Sequence, residues 1–147
     1  MIAIQDIQTK YSPEMAIAIL VCRVYLGTAS PDELALQLST NNTDWQKFKE
    51  IIGAHQVRPL IYKVLSAHPN QVDAAYLDNL RNTCLKITTG NMQKMEEMVR
   101  IHTLLTEQGV KNIAYKGIVL SDLLFGDFIS RETADIDLLL QPGDFAK

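Results

Sequence analysis

The chain has 147 residues, of which 47% are hydrophobic and 21% are charged, and its formal net charge is -3. This length allows one full domain or a small domain and part of another, and the composition excludes a disordered or fibrous protein. The negative net charge argues against sequence-independent binding of DNA or RNA, which needs a basic face.

The two cysteines and the N-terminal region bear on cellular location. Cys22 and Cys84 are far apart and lie within apolar helical patterns, which predicts reduced core residues and a cytoplasmic protein. The apolar run over residues 15–27 is short and contains Arg23, and no basic segment with a small-residue cleavage site precedes it. We therefore expect neither a secretion signal nor a membrane span.

Helix start signals punctuate the first part of the chain. Serine and proline at positions 12 and 13 predict a helix start, and Gly27 predicts its end. The segments SPDE, residues 30–33, and TDWQ, residues 43–46, match the capping box, in which the first and last side chains satisfy each other's backbone donors. Helices are therefore predicted to begin near residues 31 and 44, and another is predicted over residues 57–67.

Apolar residues then recur at three- and four-residue steps over residues 71–108, which predicts a long helix that Gly90 kinks or splits. The three methionines at 92, 95 and 98 are most simply core residues. The apolar face over residues 77–105 also suits a helical oligomerisation surface, so the oligomeric state stays open.

The pattern changes after Gly109. VKNIAYKG predicts a short strand, IVLSDLLFGD a helix that ends at Gly126 with a solvated Asp127, and DIDLLL a second strand. The predicted fold class is α+β, with a helical subdomain at residues 1–108 followed by a strand-helix-strand unit at residues 109–147.

Two carboxylates lie at the start of the second predicted strand. Side chains alternate across a strand, so Asp135 and Asp137 are predicted to share one face. Neighbouring carboxylates repel each other, and a hard cation such as Mg²⁺ would relieve that repulsion. A strand that begins in solvent, with both aspartates hydrated, explains this pair alone at least as well.

Lys116 and Gly117 lie where the first strand is predicted to end and the following helix to begin. Free backbone N–H groups and the helix dipole attract phosphate at such a position, and glycine allows its close approach. Lys116 and Arg131 are candidates to add positive charge, although each is equally explained as an exposed, solvated side chain.

The run AYKGIVLSDLLFGDFISRETADIDLLL, residues 114–140, resembles the Lys-Gly, Tyr/Leu-Gly-Asp, Arg and Asp-Ile-Asp-Leu-Leu pattern of the uncharacterised bacterial nucleotidyltransferase family. That family is a branch of the DNA polymerase β-like nucleotidyltransferase superfamily. The helical segment HQVRPLIYKVL is similar to the N-terminal region of the same family, so the resemblance covers most of the chain.

The resemblance implies a mixed sheet and Mg²⁺-dependent (or Mn²⁺-dependent) transfer of a nucleotidyl group from an NTP to an unknown acceptor, with pyrophosphate release. It implies Asp135 and Asp137 as catalytic metal ligands, and Lys116, Gly117 and Arg131 as nucleotide contacts. No membrane partner is implied.

Two departures from the superfamily pattern leave an alternative open. Ile118 follows the glycine where a serine or second glycine is usual, and Ser121 is a poor substitute for that hydroxyl. The superfamily also has a third carboxylate on a later strand, and Asp144 lies too close behind Pro142-Gly143 for this role. We therefore expect an N-terminal portion of such a protein; the alternative is a non-catalytic nucleotide- or partner-binding module with a vestigial Asp pair.

Overall fold

The computed structural model describes residues 4–40 and 42–144, which form seven α-helices, two short strands and one 3-10 helix. This composition confirms the α+β class. The helices are α1 (Ile4–Lys10), α2 (Pro13–Tyr25), α3 (Pro31–Thr40), α4 (Trp45–Ala54), α5 (Arg58–Leu65), α6 (Ala74–Glu107) and α7 (Gly117–Phe125). The strands are β1 (Asn112–Ala114) and β2 (Leu138–Leu140), and the 3-10 helix is Pro142–Asp144.

Packing divides the chain into two compact units, Met1–Cys84 and Leu85–Lys147, and the division falls within α6. The domain boundary that the sequence places between residues 108 and 109 stays a prediction. Over residues 4–40 and 42–144, no helix combines the length and the apolar character needed to cross a membrane.

Side-chain caps explain why the first helices begin where they do. The Ser12 hydroxyl accepts a hydrogen bond from the N–H of Met15, as predicted for the start of α2. At α4, however, Asp44 Oδ1 accepts the N–H groups of Gln46 and Lys47, each at 3.0 Å. The predicted pairing of Thr43 with Gln46 is therefore wrong, because the adjacent Asp44 carboxylate caps α4. The negative charge of Asp44 also interacts favourably with the partial positive charge at the start of the helix.

The core of the first unit forms around α2, which packs against α3, α4 and α5. Tyr76, near the start of α6, stacks on Trp45 with ring centroids 4.8 Å apart, so the core role predicted for Trp45 is confirmed. The fully buried apolar side chains of this core are Leu20, Val21, Leu34, Phe48, Ile52, Ile61 and Leu65.

An ion pair joins α2 to α4 at the edge of this core. The Glu14 side chain is 7% exposed, and Lys47 Nζ lies 2.7 Å from its Oε2. The ion pair with Lys47 holds the pKa of Glu14 below its ordinary value of 4.5, against the opposing effect of burial. Because the pKa is lowered on folding, the pair stabilises the fold above about pH 4.5, and this contribution is lost as the pH falls through the folded-state pKa.

Lys47→Ala is expected to lower the free energy of unfolding by about 1 to 2 kcal/mol at neutral pH, since a buried carboxylate loses its partner while the lysine itself is half exposed. Lys49→Ala, an exposed position on the same helix, is the matched control and should change stability by less than about 0.5 kcal/mol. Urea denaturation measures both effects. The difference between the two variants should shrink at acid pH, and equal destabilisation at neutral pH would contradict the assigned role of the pair.

The long helix α6 continues through Gly90 without splitting. Asp73 Oδ1 accepts the N–H of Tyr76 at 2.7 Å near its start. Met92 is 53% exposed and Met95 and Met98 are half-buried. The core interpretation is therefore wrong for Met92, whose side chain lies on the surface of the second unit.

In the second unit, β1 and β2 form an antiparallel pair in which Ile113 lies opposite Leu139. The second strand begins only at Leu138, so it is shorter than DIDLLL predicts, and Asp135 and Asp137 precede it rather than lying within it. The pairing nevertheless extends one step, since the N–H of Tyr115 donates to the carbonyl of Asp137 at 3.0 Å. Helix α7 ends at Gly126 in the left-handed conformation, with φ +70°, as predicted.

Candidate functional site

The start of α7 presents its backbone in an unusual conformation. Lys116 is the N-cap residue, with φ +62° and ψ -153°, and its side chain makes no capping hydrogen bond. Gly117 follows with φ +41°. The first N–H groups of a helix have no acceptor within the helix, and the dipole adds partial positive charge there. This end of α7 is therefore suited to an anion.

The start of α7 adjoins the segment that carries the two aspartates. A Cβ atom on Gly117 would lie 3.0 Å from Thr133 Cγ2 and 3.5 Å from the carbonyl oxygen of Asp135. On the other side of Lys116, the Tyr115 N–H donates to the Asp137 carbonyl. The two predicted motifs, Lys116-Gly117 and Asp135-x-Asp137, therefore lie side by side.

Electrostatics couples Lys116 to the same neighbours. Its ammonium lies 4.8 Å from the centroid of the Tyr115 ring. The pKa of Lys116 is raised, first by its hydrogen bond with Tyr115 and then by charges that include Asp137 and Asp135. The exposed ammonium thus stays charged at neutral pH beside two carboxylates.

Arg131 approaches the site from the loop between α7 and β2. Its guanidinium Nη1 donates to the carbonyl of Gly117 at 3.4 Å, a long hydrogen bond that still places the group at the start of α7. The side chain is half-buried. All five residues that the sequence predicts for the site are thus brought together within the second unit.

Asp127 organises the loop that leads to Arg131. Its Oδ1 accepts the N–H groups of Ile129 and Ser130 at 2.9 and 2.6 Å, and its Oδ2 accepts the Ser130 hydroxyl at 2.7 Å. The expectation of a solvated Asp127 is therefore wrong. An aspartate two and three residues before these donors is the sequence signal for such a turn.

Asn91, on α6, is a site residue that the sequence reading missed. It is 1% exposed, and its amide nitrogen donates to the carbonyls of Phe128 and Arg131, both at 2.8 Å. One signal was present: Asn91 is a polar residue four positions after Ile87 and four before Met95, within an apolar helical pattern. A buried amide at such a position needs partners.

The carboxylates of the site are suited to a metal ion whose remaining ligands come from water and from the substrate. Asp135 is exposed and Asp137 is half-buried. Within residues 4–40 and 42–144, no group of three or more His, Cys, Asp or Glu residues could hold a metal by itself. Mg²⁺ commonly takes one or two carboxylates and fills its remaining positions with water and substrate phosphates. Two aspartates beside a helix start that is suited to an anion fit that pattern.

Ser121 does not supply the hydroxyl that Ile118 lacks. Its side chain is fully buried, and its Oγ has no hydrogen-bond partner among the residues that the structure describes. A hydroxyl enclosed in this way is not presented to a phosphate from solvent. Backbone N–H groups and the two cations are left as the donors at the start of α7.

Lys116 occupies a backbone region that is essentially restricted to glycine, at a cost of about 1 to 3 kcal/mol for other residues. Lys116→Gly is therefore expected to raise the Tm by about 2 to 5 °C, after allowance for the greater freedom of glycine in the unfolded chain. Differential scanning calorimetry measures the change.

Gln56→Gly is the matched control for that substitution. Gln56 also has a positive φ, +55°, and lies at the end of α4 rather than in the site. Both substitutions should raise the Tm. A fall in Tm for Lys116→Gly alone would show that the lysine side chain stabilises the fold by more than its backbone strain.

The model of a family described as uncharacterised nucleotidyltransferase matches residues 41–147. No curated protein and no solved structure matches the chain. The family match covers most of the chain and includes every residue of the site.

Proposed function

Because the chain belongs to the uncharacterised nucleotidyltransferase family, we propose that its second unit binds an NTP with Mg²⁺ (or Mn²⁺) and transfers the nucleotidyl group to an acceptor. The observation that carries this proposal is the close approach of Gly117 to the aspartate segment. A Cβ atom added to Gly117 would lie 3.5 Å from the Asp135 carbonyl oxygen. A helix start that attracts phosphate and a carboxylate pair that attracts a cation thus adjoin.

Each site residue has a role in this proposal. Asp135 and Asp137 hold the divalent cation, which when bound offsets phosphate charge and favours the attacking form of the acceptor oxygen. Gly117 lets the triphosphate approach the backbone N–H groups of α7 without hindrance from a side chain. Lys116 and Arg131 pair with phosphate oxygens, Lys116 as a point charge and Arg131 through its planar fork.

The transfer requires no reactant other than the NTP and the acceptor. The oxygen of an acceptor hydroxyl forms a bond to the α-phosphorus, and the bond from that phosphorus to the β-phosphate oxygen breaks. Pyrophosphate leaves with the electron pair, and the hydroxyl proton passes to solvent. Positioning and charge stabilisation are the contributions that the protein makes in this class of reaction.

Thermal denaturation in the presence of each NTP, with and without Mg²⁺ or Mn²⁺, tests the binding step. A ligand at about a hundred times its Kd stabilises the folded state by about 2.7 kcal/mol, which is readily measured. We expect at least one NTP to raise the Tm only when metal is present. A Tm that no NTP raises would contradict the proposal, and a rise independent of metal would favour a non-catalytic nucleotide-binding module.

A further inference from the structure

One side chain ties the loop after α7 to helix α6. Asn91 lies on α6, and its amide nitrogen donates at 2.8 Å to two carbonyls, those of Phe128 and Arg131. These carbonyls belong to residues three positions apart, so a single amide fixes both ends of this short segment. Every group involved lies in the unit Leu85–Lys147.

The fixed segment bears directly on the nucleotide site. Arg131, whose carbonyl Asn91 holds, extends its guanidinium to the carbonyl of Gly117. Between the two tethered carbonyls, Ser130 is 6% exposed and bonds to Asp127 through both its N–H and its hydroxyl. The loop backbone is thus held from two directions while the Arg131 side chain reaches the start of α7.

An asparagine is energetically unfavourable at a buried helix position unless its amide has partners. Asparagine has a low helix propensity, and burial of an amide without partners costs about 1 to 3 kcal/mol. An apolar residue would pack in the helix at lower cost. The position is explained by its two donors, because a primary amide can satisfy two carbonyls from one nitrogen whereas an aspartate would place negative charge against both.

We propose that Asn91 is a positioning residue for the nucleotide site: it fixes the backbone of Arg131 so that the guanidinium meets the NTP phosphates at the start of α7. The inference rests on the proposed function. It adds to that function a residue of α6 that acts through the backbone of Arg131.

A double-mutant cycle separates positioning from a general structural role. Affinity for the NTP that raises the Tm of the wild-type protein is measured by calorimetry, with Mg²⁺, for Asn91→Ala, Arg131→Ala and the double variant. Each single variant is expected to weaken binding by about tenfold, and the double variant no more than Arg131→Ala alone. The loss of thermal stability from Asn91→Ala should persist in the Arg131→Ala background, because it arises from backbone carbonyls.

Gln93→Ala, at an exposed position on the same helix, is the matched control and should leave NTP affinity unchanged. Where Asn91→Ala does not fold, Asn91→Ser retains one donor and enters the same cycle, with an affinity loss of a few fold. Independent, multiplying losses in the double variant, or wild-type affinity in the Asn91 variants, would overturn the inference. Failure of the wild-type protein to bind any NTP would instead contradict the proposed function.

Discussion

Asp135→Asn and Asp137→Asn are each expected to lower metal-dependent pyrophosphate release by about 100-fold or more. The amide has nearly the same shape as the carboxylate but carries no charge, so the cation loses a ligand while the backbone stays in place. Asp135 is exposed and Asp137 half-buried, and we expect each variant to keep its free energy of unfolding within about 1 kcal/mol. The metal-dependent rise of Tm with NTP should be lost together with activity.

Asp122→Asn is the matched control for these variants. Asp122 is an exposed aspartate of α7, beyond the first turn of the helix, and its substitution removes the same charge from the same unit. Release of pyrophosphate from each NTP is followed with Mg²⁺ and with Mn²⁺. If either site variant matched Asp122→Asn in both activity and metal-dependent stabilisation, the assignment of the two aspartates as metal ligands would be wrong.

The features that the sequence predicts well are those whose causes lie within a few residues. The cap at Ser12 bonds to an N–H three residues later, and the left-handed residue that ends α7 is a glycine, Gly126. Each is a local preference that remains the same whatever packs around it. The sequence predicts Thr43 as the cap of α4, whereas the cap is Asp44. Both residue types are good caps, and only the folded backbone selects between them.

The features that the sequence does not predict depend on distant partners. Asn91 bonds to carbonyls 37 and 40 positions later in the chain, and no local pattern identifies them. The strand β2 begins only at Leu138, which pairs with Ala114, the last residue of β1, and this register is not encoded in the DIDLLL pattern itself. The motif residues could be named from the sequence, but their approach depends on the antiparallel register of β1 and β2.

Gly117→Ala is expected to damage both stability and NTP binding. A left-handed backbone costs alanine about 1 to 2 kcal/mol, and the new Cβ, 3.0 Å from Thr133 Cγ2, forces a neighbour to move at a further cost of about 1 kcal/mol. The Asp135 carbonyl oxygen lies 3.5 Å from the same position, an ordinary contact, but the Thr133 side chain that must move belongs to the same segment. Displacement of that segment would move a proposed metal ligand, so NTP affinity should fall by about tenfold or more.

Two further variants divide this effect into its causes. Gly126 also has a positive φ, +70°, but a Cβ added there would meet nothing within 4 Å. Gly126→Ala should therefore lower the free energy of unfolding only by the conformational cost, about 1 kcal/mol, and should retain NTP affinity. Thr133→Ser removes the Cγ2 atom and, combined with Gly117→Ala, should recover part of the lost stability and affinity. Chemical denaturation and NTP calorimetry measure the set. If Gly117→Ala and Gly126→Ala proved equal in both, contact between the helix start and the aspartate segment would have no part in nucleotide binding.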